Sequence, residues 1–460
     1  MAVKRIAAKY VYTLESYEPL VNGFVEYDDA DGTVLSTGIC EDPASEDILD
    51  GAIVPGFVNS HCHVELSHLH KKFYKGSGMA GFIDQINALR DWAGWDVKAA
   101  LMQEWMDKMW NDGVSAMSDI SNDDSSFDVK AAHKMYTRTF LEVFGSEPEM
   151  CEGVMADVTK LNEVADAKGI DAAPTPHSCY TMSPQLLSES AAAGLKRGYI
   201  SYHSQESQEE EDLLISGSGA MYENRVRNGM STPPVTGESS LKYFIQRLAD
   251  AKEGPYDEHI LLVHNVCLKQ DDIEAAGKVM NNVYWAVCPL SNIFIHNALP
   301  PIPLMRENGL AIALGTDSLS SNDDLSMIKE IACLHANFPE VPMGEIYTWG
   351  DVKAQRFGFE RVQNDRVVLH NARAERLHAI IIRFFARNPC FRYVRYFKLR
   401  SGARRVCHSR FFFIQAIARC FCYLSKDTVK PLESSWGLLV IKPEDTCVGE
   451  AKRVTLICVE

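Results

Sequence analysis

The chain has 460 residues, 46% hydrophobic and 23% charged. That is an ordinary globular composition, with room for one large barrel and a smaller module. Its 46 Lys+Arg against 62 Asp+Glu leave a net charge of −16, which argues against a nucleic-acid partner because phosphate binding needs a cationic surface. No apolar run of about 18 residues suggests a membrane span, and Met1–Ala8, with Lys4 and Arg5, lacks the apolar stretch of a secretory signal.

In chain order, Lys4–Ile53 reads as β-rich. Ala7–Tyr12, Gly23–Tyr27 and Thr33–Thr37 are short apolar or alternating segments, and Asp28–Gly32 (DDADG) reads as a hairpin turn. Residues 1–50 are thus expected to begin a small β domain. From Ala52, short apolar strands alternate with longer helical segments, the sign of a parallel α/β fold. Strands are expected at Ala52–Asn59, Gly113–Ile120, Thr137–Phe144, Ile170–Pro174, Tyr199–His203, His259–His264, Asn282–Cys288 and Leu310–Gly315. Helices are expected at Val97–Asn111, Ser125–Lys134, Cys151–Ala167 and Ser183–Leu195. Eight such strands with helical crossovers predict a (β/α)8 TIM-type barrel over 51–349.

Past Trp349 the pattern degrades. Ile381–Tyr423 is crowded with Arg, Phe and Cys and fits neither a helical nor a strand period. Residues Asp351–Glu460 hold 21 Lys+Arg against 10 Asp+Glu, a charge of +11, so the rest carries −27. One reading is a basic-aromatic tail for RNA or a membrane surface. The preferred one is a stretch translated out of frame, because a barrel with so acidic a front has no evident need of such a tail. Residues 350–460 are therefore expected to be aberrant. The 13 cysteines are scattered, apart from Cys420 and Cys422. They suggest neither a structural zinc site nor a disulfide framework, and fit reduced thiols in the cytoplasm.

The chemistry concentrates at strand ends. PGFVNSHCHVELSH, Pro55–His68, runs an apolar strand into His61 and His63. Residues two apart on a strand face the same way, so both imidazoles can address one point, at the barrel end where active sites lie. Alone, the pair could be two satisfied loop histidines. YISYHSQES then ends in His203 with Glu206 just beyond, HILLVHNV ends in His264, and LAIALGTDSLSSN places Asp317 and Ser318 after an apolar run. His61 to His203 spans 142 residues, four βα units of about 35. The intervals of 61 and 53 that follow fit strands one, five, six and eight. Imidazole and carboxylate in this set suit zinc, with iron or manganese as alternatives.

These motifs resemble the amidohydrolase superfamily over about Lys4–Trp349. More narrowly they resemble the branch holding guanine, S-adenosylhomocysteine/methylthioadenosine and aminodeoxyfutalosine deaminases and the triazine hydrolases. The resemblance implies one divalent ion held by His61, His63, His203 and Asp317, activating water near neutral pH. It implies Asp317 as base, Glu206 as proton shuttle to a ring nitrogen and the leaving amine, and His264 as the group that orients water. It also implies a small β-sandwich domain built from the N-terminal and, normally, the C-terminal segments. Here Thr348–Trp349 is followed by GDVKAQRFGF, without the alanines and the glycine-lysine-proline turn of the family, which supports the altered frame. Glu65, two residues past His63, is a candidate for a sugar hydroxyl or ring N–H, or equally a salt-bridged loop residue. His177, ending the fourth strand, is a candidate substrate ligand. Ser318 either contacts substrate, orients Asp317 or caps the next helix. Glu209–Asp212 reads as a solvated helix start.

The expected partner is a small molecule, with no nucleic acid and no membrane, and a homodimer is compatible with that. The expected function is hydrolytic deamination of a purine nucleoside or related heterocycle. The alternatives are an amidase or chlorohydrolase using the same metal site, and a non-catalytic damaged remnant.

Overall fold

The computed structural model describes residues 3–30, 33–44, 46–350, 438–441 and 456–459. The described residues fall into two units, one within Met1–Arg376 and the other within Leu377–Glu460. Within the second, β13 (Leu438–Ile441) and β14 (Leu456–Val459) pair antiparallel. The segment Ile381–Tyr423, read above as out of frame, lies outside the described residues.

The N-terminal residues build one four-stranded sheet from β1 (Val3–Val11), β2 (Leu20–Asp28), β3 (Val34–Ile39) and β4 (Ile48–Ile53), in the order β3-β2-β1-β4. The β2–β3 hairpin is antiparallel as expected. The fourth strand was not anticipated. It pairs parallel with β1 and takes the start of the segment read above as Ala52–Asn59. Pro55 and Gly56 interrupt that segment, since proline cannot donate to a central ladder. The strand resumes as β5 (Phe57–Cys62), all of it buried.

Two four-stranded parallel sheets follow. One is β5 with β6 (Val114–Ser121), β7 (Tyr136–Val143) and β8 (Asp171–Pro176). The other is β9 (Tyr199–Ser204), β10 (Tyr256–His264), β11 (Met280–Val287) and β12 (Ile312–Leu314). Helices at Trp95–Asn111, Phe127–Ala132, Cys151–Ala167 and Pro184–Lys196 lie close to the expected spans. Strand alternation sorts the apolar residues into two layers. Phe57, Leu141, Ala172, Ile200, Leu262 and Leu314 join the large cluster that includes helix residues. Their neighbours Val58, Phe140, Ala173, Leu261 and Ala313 form a separate cluster fed by both sheets.

The sheets also meet at both edges. Between β8 and β9, Ser201 N donates to Thr175 Oγ1 at 2.6 Å and His203 N to His177 O at 2.9 Å. Between β12 and β5, Thr316 N and Asp317 N donate to His61 O at 3.1 and 2.9 Å. Gly315 makes the second junction possible, because a Cβ there would come within 2.8 Å of His61 N. The close approach that brings Asp317 beside the first two histidines therefore requires glycine.

A buried ion pair fixes the chain just past His63. Lys130 Nζ lies 2.6 Å from Asp119 Oδ2, with both side chains at most 1% exposed. Lys130 also donates to Ser121 Oγ at 2.7 Å, and Asp119 Oδ1 accepts from Val64 N at 2.8 Å. Removing the cation would strand a buried carboxylate. Lys130→Met is expected to lower unfolding free energy by about 3–5 kcal/mol, read from denaturant titration. A loss below about 1 kcal/mol would show that the pair is dispensable.

Candidate active site

The polar residues singled out above sit where strands end. His61 lies near the end of β5 and His63 directly follows it, His203 lies near the end of β9, His264 ends β10, and Asp317 follows β12. All five are buried. The backbone there is forced: Gln205, His264, Asn265 and Asp317 have φ of 49°, 76°, 55° and 58°. Left-handed non-glycine residues of this kind carry strain and cluster at functional sites.

Donor atoms converge. His61 Nε2 and His63 Nε2 are 3.1 Å apart, and Asp317 Oδ1 lies 3.6 and 3.5 Å from them. Bonds of about 2.1 Å in tetrahedral array imply ligand–ligand edges of about 3.4 Å. The His61, His63 and His203 ligand atoms lie within 4.8 Å of one another, as do those of Glu206, His264 and Asp317. The spacing of the His61, His63 and Asp317 donors thus fits a small divalent ion. Burial, reinforced by neighbouring imidazoles, holds His63 and His203 well below the usual histidine range, so their lone pairs are free at neutral pH. Burial alone would raise the Asp317 carboxyl, but the close approach of His61 and the fields of His63 and His264 hold it well below its usual range.

Glu206 behaves oppositely. Burial, with the field of Asp317 and Glu210, pushes its carboxyl well above the usual range. Tyr180 OH donates to Glu206 Oε2 at 3.2 Å, while Oε1 lies 3.5 Å from His264 Nε2. Burial lowers His264 to about 3, so the ring is neutral. Asn292 Nδ2 donates to His264 Nδ1 at 3.1 Å, which leaves the ring proton on Nε2, facing Glu206.

A partly open cleft joins these groups. Its lining includes His63, His203, Glu206, His264 and Asp317, together with His177 and Ser318. His177 stacks on His203 at 4.5 Å, and its Nδ1 pairs with Ser178 Oγ and Thr181 Oγ1 at 2.7 and 2.8 Å. Burial lowers it to about 3. Glu65 does not line the cleft: both its oxygens accept from Asn122 N, at 3.1 and 3.0 Å.

Several neighbours were not read from the sequence. Asp317 Oδ2 accepts from Ser291 Oγ at 2.6 Å and Ser321 Oγ at 2.9 Å, whereas Ser318 pairs with Ser320. The residues orienting Asp317 are thus Ser291 and Ser321. The run CPLSN, Cys288–Asn292, which supplies Ser291 and Asn292 directly after β11, was the available signal. Glu142, near the end of β7, also lines the cleft. The middle of the acidic run Glu209–Asp212 is not solvated: Glu210 and Glu211 are at most 1% exposed, while Glu209 and Asp212 are half-buried. They are held by the backbone donors of Gln205, Glu206 and Ser240.

The sequence profile of the Amidohydrolase family matches residues 52–343. The chain belongs to the amidohydrolase family. A Helicobacter pylori protein named adenosine deaminase is 25% identical to this amidohydrolase over 332 residues, 71% of this chain and 78% of that one. A 5-methylthioadenosine/S-adenosylhomocysteine deaminase of Halobacterium salinarum is 25% identical over 336 residues, covering 67% and 68%. Among solved structures, the Helicobacter pylori aminofutalosine deaminase in complex with methylthio-coformycin superposes with a TM-score of 0.64 at 21% identity, covering 80% of this amidohydrolase and 90% of that chain. A zinc-bound adenosine deaminase from Xanthomonas campestris gives 0.57 at 17%, covering 77% and 80%. Among the described residues no helix is long and apolar enough to cross a membrane.

Proposed function

We propose that this amidohydrolase hydrolytically removes the exocyclic amine of a purine nucleoside or related nitrogen heterocycle. One observation carries the reading. A buried carboxyl whose proton affinity is raised, Glu206, faces a neutral imidazole, His264, beside a convergent set of three histidines and an ionised aspartate. The deaminase names of its relatives agree with it. The two sheets, hydrogen-bonded along both edges and sharing one inner cluster, support a closed (β/α)8 barrel with this set at its mouth.

His61, His63, His203 and Asp317 would hold the ion. A divalent cation there, zinc by ligand type, supplies Lewis-acid activation of water, bringing its pKa toward neutrality. Asp317 Oδ1 accepts the proton of the attacking water. His264 Nε2–H orients that water and the oxygen that develops negative charge. Glu206 gives its proton to the ring nitrogen, takes up the proton that the new C–O–H group loses as it becomes a carbonyl, and hands it to the departing amine, which is a poor leaving group until protonated; the proton on Asp317 then restores Glu206. Ser291 and Ser321 keep Asp317 aimed.

The test is ammonia release across adenosine, methylthioadenosine, S-adenosylhomocysteine, guanine and aminodeoxyfutalosine. Ammonia from at least one at an enzymic rate is expected. Chloride release from a chlorotriazine with no ammonia from any amine would move the site to the dechlorinating alternative. A zinc-loaded, folded chain that releases neither would be a non-catalytic remnant.

A further inference from the structure

We infer that Glu142 is a substrate-recognition residue, whose free carboxylate oxygen accepts a hydrogen bond from an O–H or N–H donor of the ligand in the cleft. The inference rests on the functional reading above and assigns this residue a part in it. Glu142 lies next to the last residue of β7, at the same end of the sheets as the histidines. The residue is 7% exposed and lines the cleft.

Its two oxygens differ. Oε2 accepts from Asn122 Nδ2 at 3.0 Å, and the same amide also reaches Glu142 O at 3.3 Å. Oε1 is buried with no hydrogen-bond partner. The nearest donors do not serve it. His177 Nε2 is 3.8 Å away and His203 Nδ1 3.6 Å, both beyond a hydrogen bond. His203 Nδ1 is already directed at His177 O at 3.2 Å. A buried acceptor left without a donor is costly, and such exceptions call for a missing partner.

The carboxyl is also held in place. Glu65 grips Asn122 N with both oxygens, Arg90 donates to Asn122 Oδ1, and Asn122 in turn grips Glu142. Glu65, the sequence candidate for a substrate donor, thus supports the residue that faces the ligand. An anchored acceptor beside the histidine set discriminates between ligands by the donor they present, because a ligand lacking the donor leaves the oxygen unpaired.

Unreactive probes separate this from turnover. Binding to the zinc-loaded chain is measured by calorimetry for purine riboside against its 2′,3′-dideoxy analogue, and for purine against 9-methylpurine. The wild type is expected to favour the donor-bearing member of one pair by about tenfold or more. The first pair assigns the donor to sugar hydroxyls, the second to a ring N–H. Glu142→Gln, which keeps an acceptor for Asn122, is expected to lose most of that preference while zinc content and the weaker member's affinity stay within about threefold. Equal binding within both pairs by the wild type overturns the inference, as does its failure to bind any probe. A folded, zinc-bearing Glu142→Gln chain that keeps the preference also overturns it. Ammonia release by the same wild-type preparation tests the deaminase reading separately.

Discussion

Glu206→Gln is expected to keep the metal content of the wild type and to lower ammonia release by a factor of about 10² to 10⁴. The substitution preserves shape and leaves an amide oxygen for the Tyr180 hydroxyl, which donates to Glu206 Oε2 at 3.2 Å. What it removes is the movable proton. Burial and the field of Asp317 keep that proton on Glu206 well above the pH at which a free carboxyl loses it. A carboxyl so placed can protonate a weakly basic ring nitrogen, and afterwards the amine, in a cleft where neutral His264 is its neighbour. An amide can do neither. Metal content by elemental analysis and a coupled ammonia assay check both halves. A variant within tenfold of wild-type turnover would exclude Glu206 as the proton carrier. A variant that lost its metal would instead place Glu206 among the ligands.

The strands and the first layer of the site were legible because each strand is a short apolar run with its own local pattern. His61, His63, His203, His264 and Asp317 each close such a run, and parallel strands buried on both faces read as continuous apolar segments. The N-terminal sheet was read less fully. Strand β4, ILDGAI, alternates weakly and pairs with β1 some forty residues earlier, a long-range choice without a local mark. The residues that hold the site were missed for the same reason. Ser291 and Ser321 meet on Asp317 from elements 30 residues apart. Glu142 closes a strand as the ligands do, but in a run, LEVF, that carries no motif. Glu210 and Glu211 read as a solvated acidic turn because sequence shows their charge and not the backbone N–H groups that meet them. The strand ends at Cys62, so Glu65 sits in a following 3-10 turn, where Asn122 takes both its oxygens.

Stripping divalent metal with a chelator at neutral pH is expected to abolish ammonia release and lower the melting temperature, both restored by zinc. The cause is electrostatic. His61 Nε2 and His63 Nε2 face each other at 3.1 Å, with ionised Asp317 Oδ1 within 3.6 Å of both. His63 and His203 are held neutral by burial, so lone pairs and a carboxylate share one buried volume. A cation satisfies these acceptors together. Because the unfolded chain cannot assemble the set, binding stabilises the fold by about 4 kcal/mol when free zinc is a thousandfold above Kd. The melting temperature should then rise with the logarithm of free zinc. Asp317→Asn should remove most of that rise. If the amide oxygen keeps the contacts to Ser291 and Ser321, its NH2 turns toward the histidines, placing a donor where a ligand is needed. A melting temperature indifferent to zinc in the wild type would mean that these donors do not act as one metal site. The roles given to Asp317 and His264 would then have no activated water on which to act.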